Sequence, residues 1–278
     1  MNETRRISLA SIRQLLSVIL LLLLSGVYRL AQAQNPQSQH PITPFPVIGN
    51  IYYVGLSNNT SFLITTPRGH ILLDPTFEEW APAILKHVED LGFQTNDIKI
   101  ILNFHAHLDH VGGLAAAKEL TGANVVVMAE EADVIADGGK SAFDNATGEE
   151  RWSPVRPDQV IRDEEKVQLG GVTMVAHLTA GHTKGCTPWT TVAEEDGRKY
   201  NVIFQCSIGT NARTPLIGNT KYPTIARDFA KSFDILRSLP VDVFLASHGT
   251  FISAGLKNGS LAIGRKERGF QDRGDEAN

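Results

Sequence analysis

An α/β fold is what this 278-residue sequence predicts, and three observations predict it. Short apolar runs alternate with a helical stripe through the first half, the pattern of βαβ units. The second half is rich in strand-like runs. The composition is that of an ordinary globular chain, 42% apolar and 20% charged, long enough to bury a sizeable core.

The elements follow in order. Residues 34–46 are polar and Pro-rich and read as an N-terminal arm. Strand-like runs follow at Asn50 to Leu56, Ser61 to Thr66 and His70 to Asp74, divided by turns at Asn58-Asn59 and Pro67-Arg68-Gly69. Glu78 to Leu91 carries helical spacing, with Ile84, Leu85, Val88 and Leu91 on one stripe. Ile98 to Leu102 is a buried strand, Leu114 to Leu120 a short helix, and Asn124 to Met128 another strand. Ala136 to Pro157 is polar, contains Gly138-Gly139 and the isolated Phe143 and Trp152, and reads as one long surface loop. Strands are expected at Val167 to Leu169, Val172 to Leu178, Thr187 to Ala193 and Tyr200 to Phe204, the last two joined as a hairpin by Glu194-Glu195-Asp196-Gly197. A helix at Thr224 to Leu239, a strand at Val241 to Ala246 and a charged helix near 260–270 complete the chain. No repeat or linker divides it.

Charge and cysteine content narrow the function classes. A formal charge of −4 offers no basic face for nucleic acid. Two cysteines are too few for a disulfide scaffold. Residues 1–33 read as a cleaved export signal: Arg5, Arg6 and Arg13 precede a 13-residue apolar run, Leu15 to Val27, and Ala31-Gln32-Ala33 supplies the small residues of a cleavage site. The run falls short of the roughly 20 residues that span a bilayer. Removing residues 1–33 takes away four basic residues and Glu3, leaving 22 basic against 29 acidic over 245 residues, a charge of −7. The expectation is one exported domain, residues 34–278, acting as a monomer in the periplasm and free of the membrane once cleaved.

The chemistry concentrates in Asn103-Phe-His-Ala-His-Leu-Asp-His-Val-Gly-Gly113, directly after an apolar strand. His105 and His107 are two apart and project to the same side of an extended chain, so they can share one metal ion. Asp109 continues that spacing, His110 breaks it as a turn into a helix would, and Gly112-Gly113 permit close backbone approach. His182 and His248 each follow an apolar run and sit beside a glycine. Ligands gather beyond strand ends in α/β sheets, so five histidines and one aspartate can converge, a nitrogen-and-oxygen donor set that suits zinc. His40, His70, His87 and His177 have no such support.

On these residues the sequence resembles the metallo-β-lactamase superfamily, and closely its subclass B3. The likeness runs from Pro44-Phe45 through Asn50-Ile-Tyr-Tyr-Val54 and His70-Ile-Leu-Leu-Asp74 to Ser247-His248. The resemblance implies a four-layer αβ/βα sandwich with two zinc ions at one edge. One would be bound by His105, His107 and His182, the other by Asp109, His110 and His248. It further implies an exported enzyme that opens the amide bond of β-lactam antibiotics with metal-bound hydroxide, Asp109 orienting that hydroxide. Thioesterases, lactonases and nucleases share the fold, so a thioester or lactone hydrolase is the alternative.

One position discriminates between these readings. Glyoxalase-type and nuclease members carry an additional Asp that bridges both metals; here that place reads Phe204-Gln-Cys-Ser-Ile-Gly209, with Ser207 at the bridging position. Neighbouring residues on a strand face opposite sides, so Ser207 is expected inward, toward metal-bound water or substrate, and Cys206 outward. Asn211 and Arg213 are candidates for the substrate's carboxylate or carbonyl. Pairing Ala193 with Tyr200, or one residue off, brings Cys186 near Cys206, and a one-residue slip separates them again; whether they bond stays open. Phe143 and Trp152 either line the substrate groove or staple their loop.

Overall fold

The computed structural model describes residues 39–211, 214–249 and a two-residue strand at 264–265. The export signal expected at 1–33, Arg213 and most of the expected C-terminal helix lie outside the described residues. Every element below lies within residues 40–278, one compact unit of the chain.

Two mixed sheets carry the fold. The first runs in simple sequence order: β1 (Phe45–Ile48), β2 (Ile51–Tyr53), β3 (Phe62–Thr66), β4 (Gly69–Leu73), β5 (Ile98–Leu102), β6 (Asn124–Met128) and β7 (Gln159–Ile161). β1 to β4 pair antiparallel, with Thr66 opposite Gly69 across the expected turn. From β4 to β7 the pairing is parallel, so each connection crosses over the sheet and carries helix. These are α1 (Ala81–Asp90), the one-turn α2 (Leu108–Val111), α3 (Leu114–Thr121) and α4 (Ala129–Ala136). The second sheet has the order β13-β12-β11-β10-β9-β8, from β8 (Lys166–Leu169), β9 (Val172–Ala176), β10 (Trp189–Glu195), β11 (Arg198–Gln205), β12 (Val243–Ala246) and β13 (Gly264–Arg265). α5 (Ile225–Ser238) links β11 to the parallel β12.

The strands of the first sheet are apolar on both faces because both are covered. Phe62, Ile64, Ile71, Leu73, Leu102, Val126 and Met128 point into the core shared with Trp189, Phe204 and Leu245 of the second sheet. The alternate residues Leu63, Leu72, Ile101, Val125 and Val127 pack under Ile84, Val88 and Leu114 of the helices. The αβ sandwich expected from the resemblance is therefore the observed architecture.

Four local expectations are corrected. The last two residues of the Pro-rich arm, Phe45 and Pro46, already belong to β1, an edge strand in which Pro46 is tolerated. The stripe at 78–91 splits into a 3-10 turn (Glu78–Trp80) and α1, with a proline in the first turn of α1. The expected loop at 136–157 is preceded by α4 and followed by β7, where only Ile161 is buried and no alternation marks the strand. Gly264–Arg265, expected in a helix, pair antiparallel with Val243 and Phe244.

Candidate metal centre

The centre assembles where strand ends of both sheets meet. β5 runs out at Leu102, and the chain carries His105 and then His107, the latter in extended backbone, into α2, which bears Asp109 and His110. Close approach at Gly113 seats this turn: a Cβ there would fall 2.4 Å from the Pro75 carbonyl oxygen. His182 sits in the segment between β9 and β10, and His248 follows β12. His248 forms an isolated antiparallel bridge with Asn59, tying the second sheet to the β2–β3 connection of the first.

Two clusters result. His105, His107 and His182 bring one nitrogen each within 4.8 Å of one another, and Asp109, His110 and His248 do the same with two nitrogens and a carboxylate oxygen. His105 Nε2 and His182 Nε2 are 3.1 Å apart, as are His110 Nε2 and His248 Nε2. Asp109 Oδ2 stands 3.5 Å from His110 Nε2 and 3.6 Å from His248 Nε2. His105 and His110 themselves face each other at 4.1 Å between ring centroids, so the two clusters adjoin.

The outer nitrogens of these rings meet partners that sequence reading missed. His110 Nδ1 pairs with Asp74 Oδ2 in full burial. Asp74 ends β4 in the left-handed region (φ 71°), which Asp tolerates better than most residues, and its other oxygen accepts from the Phe104 N–H at 3.3 Å. Asn59 Nδ2 donates to both the carboxylate and the carbonyl of Asp109 at 3.1 Å. Asn58 Nδ2 lies 3.3 Å from His248 Nδ1, and His182 Nδ1 donates to the Gly209 carbonyl at 2.6 Å. The Asn58-Asn59 turn thus also orients donors. The one available signal for Asp74 was a carboxylate ending an apolar strand.

Charge follows this arrangement. Burial, then the neighbouring imidazoles, push His105 well down; burial and His107 hold His182 at about 3, and burial and His110 hold His248 at about 4. Burial opposes ionising Asp109, but the surrounding histidines outweigh it and bring it to about 2. Burial likewise opposes charging His110, and the Asp74 and Asp109 carboxylates overcome it, raising its pKa. Mostly neutral imidazoles beside an ionised carboxylate are the donor states a divalent cation requires. The residues fit such an ion.

The other expected site residues are distributed unevenly. Asn211 Nδ2 reaches to 3.5 Å from His107 Nε2. Ser207 is buried, and its hydroxyl meets that of Ser247 at 3.3 Å rather than any donor of the two clusters. Cys206 is bonded to Cys186, with Ala193 opposite Tyr200 in the hairpin; far from facing outward, its sulfur lies 3.5 Å from His105 Nδ1. Trp152 is buried in the helix-side core and staples its loop. Gly139, at φ 87°, passes so close that a Cβ would fall 2.6 Å from the Trp152 indole. Phe143 packs edge-on against Tyr222 at 5.0 Å. A further residue of that loop, Asp144, reaches His107 Nε2 at 3.3 Å. Burial works against its charge, and His107 and Arg151 prevail, holding it at about 2.

Comparison with known proteins places this geometry. Residues 54–248 match the family model described as the metallo-beta-lactamase superfamily. The structure is similar to the native FEZ-1 metallo-beta-lactamase of Legionella gormanii, with 41% identity, 77% of this chain and 82% of that chain covered, and a TM-score of 0.75. It is similar to the class B3 di-zinc metallo-beta-lactamase LRA-12 from an Alaskan soil metagenome, at 31% identity, 77% and 81% coverage and a TM-score of 0.75. The metallo-beta-lactamase GOB-18 of Elizabethkingia meningoseptica aligns at 34% identity, 76% and 78% coverage and a TM-score of 0.73. Among curated proteins, a hydroxyacylglutathione hydrolase of Pelagibacter ubique is 36% identical over 156 residues, 55% of this chain and 55% of that protein.

Proposed function

The chain belongs to the metallo-beta-lactamase superfamily, whose members are metal-dependent, and from that premise we propose that it hydrolyses the amide bond of β-lactams with two zinc ions. The observation that carries the reading is the end of β11. Ser207 stands at the expected bridging position and its hydroxyl turns to Ser247, so neither cluster receives a further carboxylate there. The named class B3 neighbour and the other two β-lactamases support the same reading.

His105, His107 and His182 would hold one zinc, and Asp109, His110 and His248 the other. Bound zinc supplies Lewis acidity and lowers the pKa of water toward 7, so that a nucleophile exists at neutral pH. The chain's own residues fix where this happens. Asn59 pins the Asp109 carboxylate at the seam between the clusters. Asp74 keeps the outer proton of His110 at Nδ1 and leaves Nε2 facing inward. Asn211, at the rim beside His107, is placed to meet a polar group of the substrate. We extend to Arg213 the same role toward the substrate carboxylate.

The hydroxyacylglutathione hydrolase relative favours a second reading, thioester or lactone hydrolysis. Purified protein assayed against a carbapenem, a chromogenic cephalosporin, an S-acylglutathione and a lactone separates the two. β-Lactam turnover that a chelator abolishes and zinc restores is expected; turnover confined to the thioester or lactone would overturn the first reading. Export with cleavage after Ala33 and action as a monomer in the periplasm belong to the same proposal. The Cys186–Cys206 bond, a linkage of oxidising compartments, supports export, and N-terminal sequencing of secreted protein tests it.

A further inference from the structure

The loop between α4 and β7 carries a carboxylate that the reaction just described does not use. Asp144 Oδ2 stands 3.3 Å from His107 Nε2. Its other oxygen accepts from Arg151 Nη1 at 3.0 Å, and its carbonyl accepts from Arg151 Nη2 at 3.1 Å. Arg151 therefore grips both the side chain and the backbone of one residue, a fork that leaves the carboxylate little freedom. The flanks are held as well. Phe143 packs on Tyr222, and Lys221 Nζ donates to the Asn145 carbonyl at 2.9 Å. Eight residues after Asp144, the buried Trp152 anchors the loop in the core.

Asp144, an acceptor only when ionised, approaches one nitrogen of His107, Nε2. The ring has one other nitrogen. If His107 serves the three-histidine cluster, Nδ1 is the atom free to do so, and Nε2 carries the proton donated to Asp144. We infer that Asp144, clamped by Arg151, is a positioning residue for the metal: it selects the His107 tautomer whose Nδ1 faces the ion and fixes the plane of the ring. The inference rests on the metal-binding reading above. Carboxylates behind metal-bound imidazoles are worth roughly 10–100-fold in metal affinity. Here the carboxylate comes from a loop, so the order of that loop and the strength of the three-histidine site are linked.

The experiment is zinc titration against a competing chelator for wild type, Asp144→Asn, Asp144→Glu and Arg151→Gln, with far-UV circular dichroism as a check on folding. Wild type is expected to bind two zinc ions. Asp144→Asn should weaken one of them by about 10–100-fold and leave the other unchanged, Asp144→Glu should recover part of the loss, and Arg151→Gln should fall between. In nitrogen-15 spectra of zinc-loaded wild type, His107 should show a protonated, slowly exchanging Nε2, and this signal should be lost in Asp144→Asn. Wild type that binds no zinc would overturn the metal-binding reading itself. Two tight zinc ions in a folded Asp144→Asn, or zinc coordinated through Nε2 of His107, would overturn this inference alone. If Asp144→Asn fails to fold, the Arg151→Gln titration and the wild-type spectrum decide.

Discussion

Asp109 brings one carboxylate among five imidazoles, and what surrounds each ring decides its proton. His182 shows the consequence most plainly. Burial and His107 hold it at about 3 in the folded chain, whereas an unfolded imidazole takes its proton near 6.5. Between those values the unfolded state binds more protons, so stability of the metal-free protein falls as pH drops through that window. One such group contributes a slope of at most about 1.4 kcal/mol per pH unit. Urea unfolding of chelator-treated protein at pH 7 and pH 5 should show a smaller loss for His182→Gln than for wild type. Equal losses would mean that His182 is not depressed. The same residue scale explains what sequence reading missed. Asp74, Asn58 and Asn59 look like a strand end and a turn in the one-dimensional chain. They become partners of donors only when β4, α2 and the end of β12 meet.

At the scale of elements, the β10–β11 hairpin does two jobs. Its register, Ala193 opposite Tyr200, carries the chain on either side so that Cys186 and Cys206 meet with Cα atoms 6.0 Å apart. That register was legible within one residue from the turn Glu194-Glu195-Asp196-Gly197, and the bond depended on the residue of uncertainty. Closing a loop of 20 residues restricts the unfolded chain by about 3 kcal/mol in the chain-entropy model. The double variant Cys186→Ser, Cys206→Ser should lose about that much in denaturant unfolding under oxidising conditions, while a reductant should leave the variant unchanged. A variant as stable as wild type would show that the bond contributes nothing. The loop between α4 and β7 makes the contrasting case: its polar composition was legible, whereas its order depends on Trp152 entering a core built from distant strands.

Across the whole molecule, the candidate centre is a junction between sheets. His105, His107, Asp109 and His110 leave the first sheet after β5, while His182 and His248 come from the second. An ion held by donors from both should resist their separation. Ligand that binds only the folded state at 100 times its dissociation constant adds about 2.7 kcal/mol, or roughly 5–10 °C in a domain of this size. Thermal unfolding with zinc should therefore run several degrees above unfolding with chelator, and Asp109→Asn should narrow the gap. Coincident curves would show that the clusters bind no ion in common with the folded state.

By itself the sequence determined the strand–helix alternation, the buried strand Ile98 to Leu102 and the donor types at His105, His107, Asp109, His110, His182 and His248. Periodicity and residue chemistry are local properties that survive in one dimension. Only the tertiary structure decided where Ser207 turns, that Cys206 lies beside His105, that Asp74 backs His110, and that Asp144 reaches His107. Each of these depends on distances between segments far apart along the chain, set by how the two sheets pack and by which backbone groups are left to satisfy when they do.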